Sequence, residues 1–259
     1  MIVGASYPIR STDAAFAMVT GTADTDYPVA NLADPKAITT PFRASASGAI
    51  AFKVTLAADQ AVEFLALARH NATDGATYRF RSYSDASLST LVDDSGTLTF
   101  DIPAGGLFKP TTPYRLPSTM TVRAVRVDLS DIGSAWQIGA MIASGFWDLS
   151  AHDARALGLK PRDDQSDVGD GVRRGTRQFS PRAYTLGNGL IDWTTDGATF
   201  HDFQRDMRLS EPFVWVRDLG DSSTWARECD LVRNQTRPAL GKNAYVFGEL
   251  ALDMIEHLA

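Results

Sequence analysis

Hydrophobic and polar positions alternate along the first 150 residues, in short runs that turn-forming residues separate. Because successive side chains of a strand point to opposite faces, this alternation predicts half-buried β-strands. The run TYRFRSY at 77–83 places Arg79 and Arg81 on one face and the aromatic side chains of Tyr78 and Phe80 on the other. The run VRAVRVDL places Arg126 and Asp128 together on one face. The predicted strands are 49–54, 63–69, 77–83, 96–102, 121–130 and 136–145. Short strands with turns at this spacing indicate a β-sandwich of the jelly-roll type.

The pattern changes after residue 150. The segment 151–171 is rich in Asp and Gly and has no apolar periodicity after Leu159, which predicts a linker or an extended arm. We therefore expect three parts. They are a β-sandwich over 1–150, an Asp-rich linker over 151–171 and a smaller α+β domain over 172–259.

The pattern beyond the linker mixes strands with one helix. The run 172–193 predicts two strands, which the Gly-Asn-Gly turn at 187–189 could join as a hairpin. A helix is predicted over 196–209, capped by Thr194 or Thr195, with an apolar face. Three more strands are expected within 213–218, 225–235 and 244–257. The first of them, FVWV, is apolar on both faces and predicts a fully covered strand.

The composition of the chain argues against several classes of function. The chain has 259 residues and a formal net charge of −6, with acidic and basic residues well mixed. It has no basic stripe of the kind that binding to a phosphate backbone requires, so no nucleic acid partner is expected. The single Cys229 excludes an internal disulfide. We expect no signal peptide, no membrane insertion and synthesis in a bacterial cytoplasm.

No pattern of catalytic or metal-binding residues is found. The histidines are scattered, and no His-Glu-x-x-His segment, nucleophile elbow or phosphate-binding glycine loop occurs. The acidic run from Asp163 to Asp170 lacks the spacing of an EF-hand loop. We therefore expect no cofactor, no metal and no enzymatic activity. A carboxylate pair for glycoside hydrolysis could come from distant strands, so a polysaccharide hydrolase of the cell envelope stays open as a third interpretation.

Two stretches of turn-forming and strand-ending residues are more specific. The first is YPVANLADPK, from Tyr27, and the second is FLALARHN, which ends at Asn71. Asx and Pro residues fix turns, and a His-Asn pair at a strand end can cap unpaired backbone groups. The residues to which we assign this scaffold role are Asn31, Leu32, Asp34, Pro35, Arg43, His70 and Asn71.

These two stretches resemble the galactose-binding-like (discoidin-like) sandwich found in tail proteins of bacteriophages and gene-transfer agents. Phe42 stands where that family usually has Trp, and Arg69 replaces a usual Gly. The resemblance covers about residues 25 to 148, and the C-terminal part is similar to the second domain of distal-tail and tail-tip proteins. It implies a homo-oligomeric ring, a hexamer or a trimer, that contacts the tail tube and hub proteins.

The resulting hypothesis is a structural component of a phage or phage-like tail tip or baseplate, a distal tail protein located in the virion tail. The expected assembly interface consists of Phe179, Tyr184, Phe213, Trp215, Tyr245 and Phe247. The alternative is a carbohydrate-binding module that attaches the particle to host surface glycans. Its contact residues would be the aromatic side chains Phe42, Phe108 and Tyr114.

Overall fold

The computed structural model describes most of the sandwich and parts of the C-terminal region. The described residues are 4–36, 40–102, 111–149, 157–161, 182–207, 209, 211–218, 220, 229–234, 239–242 and 247–256. They divide into two compact units, 1–151 with 212–231, and 152–211 with 232–258. The first unit is therefore discontinuous in sequence: residues 212–231, which the sequence pattern assigned to the second domain, belong to it.

The described part of the chain is mainly β. Its strands are β1 (Gly4–Ile9), β2 (Ala15–Thr20), β3 (Phe42–Ser47), β4 (Ile50–His70), β5 (Thr77–Tyr83), β6 (Leu91–Asp94), β7 (Leu98–Thr99), β8 (Thr111–Leu129), β9 (Ala135–Asp148), β10 (Leu157–Pro161), β11 (Arg182–Asp192), β12 (Pro212–Val216), β13 (Cys229–Asn234), β14 (Ala239–Lys242) and β15 (Phe247–Glu256). A 3-10 turn covers Val29–Ala33, and the helix α1 covers Trp193–Asp206. No described helix is long and apolar enough to cross a membrane.

Two long strands, β4 and β8, take part in both layers of the sandwich. Residues 50–55 of β4 pair with β2 and with the second half of β8, whereas residues 64–70 pair with the first half of β8 and with β9. Register shifts on β4 between Thr55 and Gln60 and between Val62 and Phe64 separate the two regions. Shifts of this kind bend strands and raise their local twist. The two strands predicted at 49–54 and 63–69 are therefore parts of one continuous strand, β4.

We name the layers by their strands. Layer A consists of β2, the first half of β4, the second half of β8, and β5 with β6 and β7. Layer B consists of the first half of β8, the second half of β4, and β9 with β1 and β3; β12 extends it beside β1. The core between the layers includes the fully buried side chains of Phe42, Phe52, Leu65, Phe80, Val127, Trp136 and Ile138.

The outer face of layer B is also apolar, and the C-terminal part of the chain covers it. Val214 and Val216 of β12 and Cys229 and Leu231 of β13 pack in one buried cluster with this face. The face itself is formed by Phe64, Ala66, Ala68, Ala140 and Ile142. This second covering explains why the run FLALA in β4 is apolar at every position, as in strands that are buried on both sides.

In the second unit, the strand order is β10, β11, β15 and β13, with β14 also paired to β15. The helix α1 buries Phe200 and Phe203, as its apolar spacing predicted; Met207, directly after the helix, is also buried, whereas Leu209 is 49% exposed. The helix also starts earlier than predicted, at Trp193. The Asn234 amide donates to the Met207 carbonyl at 2.8 Å, which satisfies a polar group beyond the end of the helix.

One further sequence prediction is wrong in the second unit. The Gly-Asn-Gly segment at 187–189 does not close a hairpin, because β11 continues through it and pairs with β15 on both sides of a register shift between Leu186 and Gly189. Part of the predicted linker forms strand β10, which pairs with β11 from Leu157 to Pro161. Glycines occur both in bulges and in turns, so only the strand pairing shows which of the two structures this segment forms.

Candidate functional site

The Asn-Leu-x-Asp-Pro segment forms a turn that closes one end of the sandwich. Asn31 and Leu32 lie in the 3-10 turn, and Leu32 is fully buried in the core. The Asp34 carboxylate accepts a hydrogen bond from the Lys36 amide at 2.9 Å, and Pro35 is buried beside it. The Asp34 side chain therefore holds the turn through a backbone amide, and Leu32 fills this end of the core.

Arg43 and Tyr27 link this turn to β3. The Arg43 guanidinium lies 3.9 Å from the centre of the Tyr27 ring, and the Arg43 amide donates to the Tyr27 carbonyl at 3.1 Å. A guanidinium over an aromatic face is a cation–π contact. Both residues therefore hold the segment between the turn and β3 in place.

His70 and Asn71 fix the end of β4 to neighbouring strands. The Asn71 side chain accepts from the Gln137 amide at 2.8 Å and donates to the Ala135 carbonyl at 2.9 Å. His70 is buried, its Nδ1 accepts from the Ala72 amide at 3.3 Å, and its Nε2 lies 2.7 Å from the Thr112 hydroxyl. Burial lowers the pKa of His70 to about 3, so the ring is neutral at pH 7. Both side chains therefore form hydrogen bonds with backbone groups at this end of β4.

The aromatic residues proposed to contact carbohydrate do not come together. Phe42 is fully buried in the core, where its ring lies 6.2 Å from that of Phe52, so it presents no surface to a ligand. Tyr114 is half-buried; it stacks on Phe80 and its hydroxyl donates to Asp93 at 3.0 Å. Phe108 lies outside the described residues. A binding surface built on exposed rings at loop tips is therefore wrong for Phe42.

The residues proposed for an assembly interface also lie in different settings. Phe213 and Trp215 of β12 are buried within the first unit, so the predicted contact with a neighbouring subunit has no exposed side-chain surface at these two positions. Tyr184 lies in β11 and Phe247 in β15, two strands that pair with each other. Phe179 and Tyr245 lie outside the described residues.

The outer face of layer A carries a row of cations that strand pairing brings into register. Arg81 of β5 lies opposite Arg126 of β8, and Arg126 lies opposite Lys53 of β4. In the adjacent row, Arg79 lies opposite Asp128. All five side chains are half-buried. Like charges directly opposite one another destabilise a sheet, which makes this an unusual arrangement for a purely structural face.

Two carboxylates partly neutralise these cations. Asp128 accepts from Arg81 on one oxygen, at 2.5 and 3.2 Å, and from Arg126 on the other, at 2.7 and 3.0 Å. Asp94 pairs with Arg79 through two hydrogen bonds, one of them 2.8 Å long. The bonds from Arg79 lower the pKa of the Asp94 carboxyl and raise the pKa of the Arg79 guanidinium. Asp94 is therefore ionised at neutral pH.

Lys53 is held by a loop instead of a carboxylate. Its Nζ donates to the Ala86 carbonyl at 3.2 Å. The neighbouring Asp85 turns its carboxylate towards the loop and accepts from the amides of Ser87, Ser89 and Thr90 and from the Ser87 hydroxyl. Those bonds, the Ser87 hydroxyl first, lower the pKa of Asp85. The loop therefore presents a carbonyl, not its carboxylate, to Lys53.

A shallow groove opens beside the cation row. Its volume is about 260 Å³, and its walls carry hydroxyl, guanidinium and carboxylate groups. The residues that line it are Thr77, Tyr78, Arg79, Arg81, Thr97, Asp128, Leu129 and Ser130. The Ser130 hydroxyl accepts from the Thr77 amide at 2.8 Å, which fixes one wall. We name this feature the layer A groove. It offers several hydrogen-bond donors and acceptors to a small polar ligand.

Sequence reasoning placed the arginines on one face of each strand but did not combine them into a site. The alternating Arg residues in TYRFRSY and VRAVRVDL were the available signal. Their register, and the nearness of Lys53, depend on pairing between strands that lie far apart in sequence. Among the described residues, no group of His, Cys, Asp and Glu side chains is arranged to hold a metal ion.

Comparisons with known proteins return only structural matches. No protein-family model matches the sequence, and no curated protein matches it. A galactose-bound family 32 carbohydrate-binding module from C. perfringens NanJ is similar over 55% of this chain and 98% of its own, at 12% identity and a TM-score of 0.41.

Two further solved structures are similar to the same extent. A chitosan-binding module from a Paenibacillus chitosanase/glucanase shares 16% identity over 54% of this chain and all of its own length, with a TM-score of 0.42. A Ruminococcus gnavus GH29 fucosidase shares 12% identity over 54% of this chain and 27% of its own, with a TM-score of 0.42. At this level of likeness, nothing about ligand or activity passes from those proteins to this chain.

Proposed function

We propose that the protein is a non-catalytic carbohydrate-binding component that takes its ligand in the layer A groove. The observation that supports this proposal is the groove itself, whose lining includes four residues with hydroxyl groups, two arginines and an aspartate. Its volume, about 260 Å³, lies just below the usual range of about 300 to 1,000 Å³ for small-molecule sites. Such a groove suits one sugar unit of a longer chain.

The walls of the groove are held in place before a ligand arrives. Arg79 is fixed by Asp94, Arg81 by Asp128, and the Thr77 amide by Ser130. Because these side chains are already ordered, less conformational entropy is lost on binding. The donors and acceptors can therefore select the positions of sugar hydroxyls.

The test is calorimetric titration of the full chain with a panel of soluble oligosaccharides, using a variant in which the groove is filled. Thr97 is exposed on the rim of the groove, so Thr97→Trp should abolish binding without disturbing the core. Thr121→Trp places the same side chain at an exposed position of β8, away from the groove, and this variant should bind as the wild type does. Unchanged binding by Thr97→Trp would refute the location, and release of reducing sugar by the purified protein would refute the non-catalytic role.

A second candidate is the structural component of a phage-like tail. Its support is the resemblance of the Tyr27–Asn71 region to tail-protein sandwiches, where Asp34, His70 and Asn71 now have defined contacts. In this role the protein would form a hexameric or trimeric ring in the virion tail and contact tube and hub proteins. The two candidates are compatible, because a tail component can also attach to host glycans.

Native mass spectrometry tests the second candidate. A closed ring at micromolar concentration, or a ring formed on addition of the neighbouring tail proteins, would support it. A protein that stays monomeric in both conditions would contradict it, whatever its glycan binding.

A further inference from the structure

We infer that the layer A groove and the adjoining cation row bind an acidic saccharide, a sugar chain that carries carboxylate groups. This inference rests on the proposed function and adds the class of ligand. It draws on two observations, the excess of cations on one face and the row in which three of them stand opposite each other.

The first observation concerns charge. The strands of this face contribute Lys53, Arg79, Arg81 and Arg126 against Asp94 and Asp128, an excess of two positive charges. The whole chain, by contrast, has a formal net charge of −6. A local concentration of positive charge on an acidic protein attracts anions to that place.

The second observation concerns the placement of these cations. Arg126 has a cation directly opposite it on both sides, Arg81 and Lys53. Such pairs are unfavourable, and Asp128 relieves only the arginine pair. No described carboxylate lies within ion-pair distance of Lys53. Local conflicts of this type are expected at functional sites, since an incoming anion removes them.

Both arginines keep donors for a ligand. Arg81 and Arg126 each use Nε and Nη2 to bind Asp128, which leaves Nη1 of each without a partner among the described contacts. The side chains are 23% and 27% exposed, so these donors can be reached from solvent. A guanidinium bonded to one carboxylate is held in the orientation in which it can bind a second one.

The neighbouring polar groups favour a saccharide over other anions. Thr77, Thr97 and Ser130 place hydroxyls next to the cations in the groove, and these can bind sugar hydroxyls while the cations bind the carboxylates. Adjacent strands lie about 4.8 Å apart, so the row from Arg81 to Lys53 spans about 10 Å, the scale of a short oligosaccharide. An excess of two charges is small for a nucleic acid, whose binding requires many phosphate contacts.

The experiment compares a galacturonic acid oligomer with a galactose oligomer of the same length, titrated into the full chain. We expect the acidic oligomer to bind at least about tenfold more tightly and to lose affinity as salt is raised. Arg81→Gln combined with Arg126→Gln should reduce its affinity by about tenfold or more. Lys53→Gln, which leaves the Asp128 pairs intact, should weaken it without affecting folding. Arg123→Gln, in β8 but outside the row, is the matched control.

The outcomes separate the two proposals. Equal affinity for the two oligomers, with no effect of Lys53→Gln or of the double substitution, would overturn the acidic ligand and leave carbohydrate binding standing. Binding of neither oligomer, nor of any other glycan, would overturn both. Stronger binding of a single-stranded DNA oligomer than of the acidic sugar, or full competition by inorganic phosphate at equal concentration, would show a general anion surface and overturn the inference.

Discussion

His70 shows how a residue near a strand end can support the scaffold through hydrogen bonds to its neighbours. It is 1% exposed, and its ring lies 4.7 Å from that of Phe100. Both ring nitrogens are engaged, one as acceptor from Ala72 and the other with Thr112. A protonated ring could no longer accept from the Ala72 amide, and its charge would lie in an apolar core.

The neutral state of His70 leads to a pH-dependent stability. Burial lowers its pKa to about 3, against an ordinary value of 6.5, so between these values the unfolded chain takes up a proton that the folded chain excludes. Stability from this group is therefore complete above pH 6.5 and falls by about 1.4 kcal/mol per pH unit as the pH drops towards 3. In His70→Gln, the free energy of unfolding should fall less steeply than in the wild type between pH 7 and pH 4, as measured by denaturant titration at each pH.

Phe100→Leu serves as the control for that experiment. It removes the ring contact but keeps the titrating histidine, so it should lower stability by a similar amount at every pH. If His70→Gln and the wild type show parallel stability curves over this range, the neutral, buried histidine is refuted.

At the scale of elements, hydrogen bonds from side chains join strands that are remote in sequence. The Val214 amide of β12 donates to the Ser6 hydroxyl of β1 at 2.8 Å, in a buried position. Beside this bond, Gly4 and Ala5 pair with Val216 and Trp215. The covering of layer B thus depends partly on one small side chain.

Ser6→Ala should destabilise the protein by about 1 to 3 kcal/mol, because it leaves the Val214 amide buried without its acceptor. Ser47→Ala, at the exposed end of β3, should stay within about 0.5 kcal/mol of the wild type. Chemical denaturation of both variants measures the difference. Equal stabilities would show that the Ser6 bond contributes nothing.

The buried faces of strands and helices could be predicted where apolar and polar residues alternate strictly. The way in which successive segments are connected could not. The faces of β5 and the apolar face of α1 followed from side-chain spacing, as did the burial of β12. The continuity of β4 did not, because the exposed residues 57–59 interrupt the alternation of apolar and polar positions at the bend. The Gly-rich segment in β11 has the same ambiguity, since a bulge and a hairpin use the same residues.

The candidate site was less predictable than the fold. The scaffold residues Asp34, His70 and Asn71 could be assigned from sequence because their partners are backbone groups nearby or at a strand end. The layer A groove could not, because it depends on the register between β5 and β8, which pairs residues as far apart in sequence as Tyr78 and Leu129. Aromatic residues do not identify a sugar site by themselves, since a large ring such as Phe42 packs in a core as readily as against a sugar.

At the scale of the whole molecule, the first unit is completed by residues from the C-terminal part of the chain. Strand β12 and residues 229–231 cover Phe64, Ala66 and Ile142 on the outer face of layer B. A chain ending at residue 150 would expose this face to water. Large exposed apolar patches lead to association.

We therefore expect a chain of residues 1–150 to aggregate or to bind a hydrophobic dye, and to unfold at a lower temperature than the full chain. Joining residues 1–151 to 212–231 through a flexible linker should restore a soluble, cooperatively unfolding protein, since those segments form one compact unit. Scanning calorimetry and light scattering measure both properties. A soluble 1–150 chain with the melting temperature of the full protein would contradict the account of layer B.

The central claim is that the layer A groove binds carbohydrate, and chemical-shift mapping of the full 28.1 kDa chain tests it most directly. The measurement is an amide spectrum recorded during titration with the galacturonic acid oligomer. We expect saturable shifts concentrated at Thr77, Arg81, Thr97, Asp128 and Ser130, the residues around the groove. Shifts confined to other parts of the chain, or no shifts at millimolar ligand with any glycan of the panel, would contradict it.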